Sequence, residues 1–124
     1  MRTFLASKLH NVKVEDKVLT CDEGSIGIPE HLMEAAHIIP YEQVHVLGIG
    51  NDKRPITYAI PTEYLTLYGG ISRMFEVGDE IVLLTYRTVD EGKPTPEPII
   101  VDARAEYEKP KPMSEYKFTT TGAR

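Results

Sequence analysis

A small, mainly β protein closed into a barrel is the fold this sequence predicts, on three observations. Short β-rich segments recur with turn residues between them, and one stretch alone has convincing helical periodicity. The chain has 124 residues, 41% of them hydrophobic, enough for one modest core and too few for two. Closure is expected because an open sheet built from such segments leaves unpaired strand edges.

The elements follow in order. Arg2 to Leu5 and Leu9 to Val14 read as two strands, the second with Leu9, Val12 and Val14 apolar and Lys13 polar; Ser25 to Ile28 is a further short one. Pro29 to Ile38 predicts a helix. Pro29 suits a first turn, Glu30 favours the positive end of the dipole, and Leu32, Ala35 and Ala36 with Ile39 form an apolar stripe that Pro40 ends. Val44, Val46 and Ile49, then Ile56, Tyr58 and Ile60, flank Gly50-Asn51-Asp52-Lys53, the pattern of a hairpin. Val77-Gly78-Asp79 is a turn that feeds a strand from Ile81 to Tyr86, and Ile99-Ile100-Val101 adds a last one. After Thr88 the chain turns rich in Pro, Glu and Lys, so residues 1–106 are expected as the folded unit and 107–124 as a flexible tail.

Composition removes several function classes. A net charge of −5 gives no basic footprint for nucleic acid or anionic membrane, although a local basic pocket for a small acidic molecule is compatible with it. The longest purely aliphatic run, Ile81 to Leu84, is far short of a membrane span, and Met1-Arg2-Thr3-Phe4 is not followed by a signal-like apolar segment. The expected location is therefore the cytoplasm. Cys21 is the single cysteine and reads as incidental, while His31, His37 and His45 have no metal-ligand spacing with acidic partners.

The stretch Glu23-Gly24-Ser25-Ile26 carries the chemistry. A serine hydroxyl directly after a glycine has its electrophile, the glycine carbonyl carbon, adjacent in the chain. Attack gives an ester in place of the amide; β-elimination frees the Gly24 carboxylate and leaves dehydroalanine, which loses ammonia on hydrolysis to become a pyruvoyl group. Glycine on the carboxyl side accepts strained dihedrals and leaves its carbonyl unshielded. Gly-Ser is also a common turn dipeptide, so the surrounding segments decide the reading. These are RTFLASKLHNVKV (2–14), GSI (24–26), LMEAAHIIPYEQVHV (32–46), the RPITYAI run (54–60) with its TYAIP core (57–61), and VGDEIVLL (77–84). In this order and at this spacing they resemble pyruvoyl-dependent aspartate 1-decarboxylase, over roughly residues 2 to 103.

The resemblance implies a six-stranded double-psi β-barrel with one or two short helices, assembled as a homotetramer, and a chain cut between Gly24 and Ser25. It implies a pyruvoyl cofactor made from Ser25, no metal, and conversion of L-aspartate to β-alanine and carbon dioxide, feeding pantothenate and coenzyme A synthesis. A maturation helper protein is a possible further partner. Carried over by position, Thr57 polarises the Gly24 carbonyl, Tyr58 is the proton donor, Lys8 and Arg54 hold the substrate carboxylates, His10 lies near the processing site, and Gly69 and Gly70 offer backbone amides. Because Thr57 and Tyr58 are consecutive in a strand, they are expected to point to opposite faces.

Two departures bear on the substrate. Tyr68-Gly69-Gly70-Ile71 stands where the family has an Asn-Gly-Ala-Ala segment, replacing an amide by a phenol, and Asp22 stands where a tyrosine is common. The alternatives are a related pyruvoyl decarboxylase acting on glutamate or a modified aspartate, and an uncleaved barrel that serves as a binding or assembly partner.

Overall fold

The computed structural model describes residues 1–19 and 24–108, the side chains of 106–108 excepted. Among the described residues there are eight strands: β1 (Arg2–Lys13), β2 (Asp16–Val18), β3 (Ser25–Pro29), β4 (Gln43–Gly48), β5 (Ile56–Thr62), β6 (Thr66–Tyr68), β7 (Glu80–Val89) and β8 (Ile99–Asp102). Helix α1 (Glu30–Ala36) follows β3, a 3-10 turn (Gly69–Arg73) follows β6, and α2 (Ala103–Glu108) follows β8. The strands form one sheet in the order β2-β6-β3-β5-β4-β7-β1-β8, so the mainly β expectation holds. Its end strands, β2 and β8, are not bonded to each other, so hydrogen bonds do not close the sheet. Curvature brings its halves together: α1 touches β3 and β5 near one end of the order and β1 and β8 at the other. One buried cluster, including Leu9, Ile26, Leu32, Val46, Leu67, Leu83 and Val101, fills the space between.

Several boundaries differ from the sequence expectation for physical reasons. The two expected N-terminal strands are one, β1, which carries an extra residue against β7 between Leu5 and Ser7 and another between Leu9 and Val12. Such bulges break the apolar alternation without ending the strand, and Asn11 sits at the second with φ 59°. Eight strands replace six because β2 and β6, of three residues each, pair with one another across a long sequence gap. Helix α1 is shorter than expected. Pro29 lies outside it as the last residue of β3, and His37 at φ 55° ends it before Pro40 is reached. Ile39 is consequently 66% exposed, and Ile38 joins the core in its place.

The hairpin was legible. β4 and β5 pair antiparallel with Gln43 opposite Tyr58 and His45 opposite Ile56, and the Asn51 side chain caps the turn by accepting from the Lys53 amide at 2.9 Å. Gly78, at φ 94°, makes the turn before β7. Helix α2 crosses the expected boundary at residue 106, and residues 109–124, most of the expected tail, lie outside the described residues, as do Cys21, Asp22 and Glu23. Among the described residues, no helix is long and apolar enough to cross a membrane, and no group of three or more His, Cys, Asp or Glu could hold a metal ion.

β3 lies between β5 and β6, and Gly27 at its centre admits the Thr62 side chain, whose atoms would stand 2.5 Å from an added Cβ. Thr62 is itself tied by its hydroxyl to the Tyr64 carbonyl at 2.6 Å. We expect Gly27→Ala to destabilise the fold by about 1–3 kcal/mol through overpacking, read as a lower midpoint in denaturant unfolding. A midpoint equal to wild type would mean that β3 is not seated against Thr62 in this way.

Candidate active site

The register of β3 against its neighbours places the Gly24-Ser25 pair. β3 and β5 run parallel with Ile26 opposite Ala59, Gly27 opposite Ile60 and Ile28 opposite Pro61. Continued back along both strands, that register sets Ser25 beside Tyr58 and Gly24 beside Thr57. A direct bond agrees with this: Thr57 Oγ1 donates to the Gly24 carbonyl oxygen at 2.9 Å. On its other side β3 runs antiparallel to β6, with Ser25 directly opposite Tyr68.

Faces follow from the alternation. Ile26 and Leu67, paired across β3 and β6, are fully buried in the core, so Ser25 and Tyr68, one step away, stand on the outer face. Tyr58 shares that face through its partner Gln43, which is exposed between the buried Val44 and the bend into β4. Thr57, paired with buried Val44, takes the opposite one. The consecutive threonine and tyrosine therefore do point apart, and both still adjoin one junction, Thr57 through the Gly24 carbonyl and Tyr58 as the lateral neighbour of Ser25. Ser25 is only 5% exposed although it faces outward, since half-buried tyrosines flank it on β5 and β6. A Cβ built on Gly24 would meet nothing within 4 Å, so no neighbouring side chain crowds its Cα on that side.

The remaining expected residues share the outer face at a distance from this junction. On β7, Ile81 and Leu83 enter the core cluster while Leu84 and Tyr86 alternate outward. Lys8 on β1 and His45 on β4 both pair with Leu84, which puts them on that face. His10 joins them through β8, where Lys8 pairs with Ile100 and His10 with Asp102, outside the buried Ile99 and Val101. Arg54, exposed in the segment before β5, donates through Nη2 to the Tyr86 hydroxyl at 2.9 Å. Among the described residues, no hydrogen bond joins Lys8, His10 or Arg54 to Gly24 or Ser25, and three strands separate β3 from β1 in the sheet order. Gly69, buried at φ 67°, and exposed Gly70 open the 3-10 turn immediately after Tyr68, and the Ser72 hydroxyl secures that turn on the Gly69 carbonyl at 2.5 Å.

Five side chains around these residues, Tyr41, His45, Tyr86, Asn11 and Asp102, were not singled out from the sequence as site neighbours. The Tyr41 ring lies 6.3 Å from that of Tyr58, and the His45 ring meets Tyr86 edge-on at 4.8 Å. Asn11 donates to Asp102 Oδ1 at 2.9 Å and lies 3.2 Å from His10 Nδ1, so one amide links β1 to β8 and orients the imidazole. That hydrogen bond is the main cause that holds the Asp102 carboxyl below its usual range; burial, the next largest effect, opposes it, and the Arg104 amide and the charges of His10 and Arg104 assist. His31 is shifted downward by burial, opposed by the charge of Glu15. The Tyr41–Tyr58, His45–Tyr86 and Asn11–Asp102 contacts join residues distant in the chain, and no local sequence pattern announces them.

These features define a small single-sheet β protein with a Gly-Ser junction whose carbonyl is held by a threonine hydroxyl and whose serine is flanked by tyrosines. A sequence model described as aspartate decarboxylase matches residues 1–108. The Aspartate 1-decarboxylase of Acaryochloris marina is 40% identical over 89 residues, covering 68% of this chain and 67% of its own. That of Dehalococcoides mccartyi strain CBDB1 is 39% identical over 92 residues, 71% of this chain and 73% of its own. That of Trichormus variabilis is 37% identical over 110 residues, 83% of this chain and 86% of its own. The chain belongs to the aspartate decarboxylase family.

The Thr57 bond generates a direct expectation. Thr57→Val keeps the size and β-branching of the side chain and removes the donor, so the fold should survive while cleavage between Gly24 and Ser25 slows by about 10²–10³-fold, the cost of one lost oxyanion donor. Electrophoresis of the purified variant over time measures it, and cleavage at the wild-type rate would remove Thr57 from the processing chemistry.

Proposed function

We propose that this protein is a self-processing, pyruvoyl-dependent decarboxylase that converts L-aspartate to β-alanine and carbon dioxide. The family is generally pyruvoyl-dependent, and the single observation that carries the reading to this chain is the 2.9 Å bond from Thr57 Oγ1 to the carbonyl oxygen of Gly24. The residues present fit the formation of such a group. Gly24 is open around its Cα, Ser25 is 5% exposed and so shielded from bulk water, and the threonine donor sits where the carbonyl oxygen gains charge.

Processing then runs on the chain's own atoms. The Ser25 hydroxyl oxygen bonds to the Gly24 carbonyl carbon, negative charge collects on the oxygen that Thr57 faces, and the carbon–nitrogen bond breaks to leave an ester and a free amine. Removal of the Ser25 α-proton expels the Gly24 carboxylate and leaves dehydroalanine. Water then replaces the nitrogen, which departs as ammonia. His10 is assigned to this stage by family position, and Asn11, itself bonded to Asp102, orients its ring.

The finished ketone supplies an electron sink for loss of carbon dioxide from an amino acid bound through its amine. The protein's part is positioning and proton transfer. Arg54 presents a planar fork suited to a carboxylate, Lys8 a second cation on the same outer face, and a substrate lacking one carboxylate would leave such a cation unmatched. Tyr58, lateral neighbour of Ser25 by register, returns a proton to the carbon that loses carbon dioxide. Gly69 and Gly70 amides, just beyond Tyr68, are further donors to substrate. A homotetramer is the assembly that the family resemblance implies.

Two substitutions test the assignment. Ser25→Ala should show neither cleavage nor formation of β-alanine from L-aspartate. Tyr58→Phe should be cleaved as wild type yet turn over about 10²–10⁴-fold more slowly, the usual contribution of one positioned acid. An active Ser25→Ala protein would end the pyruvoyl reading, and a fully active Tyr58→Phe would reassign the proton donor.

A further inference from the structure

The Arg54 guanidinium reaches out of the segment before β5 and is held by one bond, from Nη2 to the hydroxyl of Tyr86 at 2.9 Å. Among the described residues no carboxylate pairs with it. A guanidinium carries five N–H donors, so most of its fork is open to an acidic ligand. The phenol oxygen accepts from Arg54, while its own hydrogen has no acceptor among the described residues. Accepting a bond from a cation polarises a hydroxyl and makes it the stronger donor, and at 2.9 Å from Nη2 that hydroxyl stands beside the place a ligand of the Arg54 fork would take.

The ring beneath the hydroxyl is fixed. Tyr86 lies opposite Leu5 on β1, is half-buried, and packs against the edge of His45 at 4.8 Å and 67°. It also lies two residues along β7 from Leu84, the residue that pairs with Lys8, so the phenol and the second cation share one face.

We propose that Tyr86 is a specificity-determining residue: it holds the Arg54 fork in one orientation and adds its own O–H to the same carboxylate of an acidic amino-acid substrate. This rests on the reading of Arg54 as the carboxylate-binding cation. Arg54 and Tyr86 then form a mixed cradle, a charged fork with a neutral donor at its edge, which selects a carboxylate over an amide, because an amide nitrogen in either place would set donor against donor. No protons are exchanged and no bond to substrate is made.

The test uses the matured enzyme and two variants, Tyr86→Phe and Arg54→Ala, with succinate as a non-reacting dicarboxylate probe. Tyr86→Phe keeps the ring and its packing on His45, and intact mass should show it cleaved like wild type. We expect its KM for L-aspartate and the dissociation constant of succinate, measured by titration calorimetry, to rise together by about tenfold, with kcat changed by less than about twofold. Values within about twofold of wild type for both KM and succinate, while Arg54→Ala weakens both, would overturn the role of Tyr86 and leave that of Arg54 standing. A loss confined to kcat would overturn it equally. If Arg54→Ala itself binds succinate and aspartate normally, the carboxylate site is elsewhere and the underlying reading fails along with the proposal.

Discussion

The parallel register of β3 on β5 is the constraint on which the rest of this molecule depends. With Ile26 opposite Ala59, the two strands can only bring Gly24 to Thr57 and Ser25 to Tyr58, and the 2.9 Å bond to the Gly24 carbonyl fits that alignment. A slip of one residue would exchange the faces of the strand, turning Ser25 into the core and Ile26 out of it. The apolar cost of exposing Ile26, which is fully buried, therefore protects the position of the serine. Core packing and site chemistry are in this sense one specification, written on alternate residues of the same five-residue strand.

What the sequence made legible follows from how local each signal is. The β4–β5 hairpin and the turn at Gly78 were readable because turn residues act within a few positions, through an Asn51 side chain bonded to its own loop and a glycine at φ 94°. Strand β1 was divided in two because its bulges shift the apolar pattern, and β2 and β6 went unseen because three-residue strands have no periodicity to detect. Helix α1 was lengthened because Pro40 is a visible stop, whereas a histidine entering the left-handed region at position 37 is not.

The site divides in the same way. Gly24, Ser25, Thr57 and Tyr58 were legible as words in a familiar order, and the same order could not say that β3 would bring them together across 33 positions of chain. Tyr41, His45 and Tyr86 gain their places from neighbours across the sheet or around a bend, so nothing beside them in sequence marks them out. Tyr68 stood out as a phenol in place of an amide, and its position directly opposite Ser25 gives that departure a physical setting. The outer face thus carries a row of polar side chains from His10 through Lys8 and Tyr86 to Tyr58 and Ser25, laid over a continuous apolar core.

The claim at the centre of this account is that Ser25 ends as a ketone, and the intact mass of the purified protein under denaturing conditions addresses it most directly. The account predicts two species divided between Gly24 and Ser25, the larger lighter than a simple hydrolysis product by the mass of one ammonia. A single uncut chain after prolonged incubation, or a pair of fragments retaining that nitrogen, would contradict it.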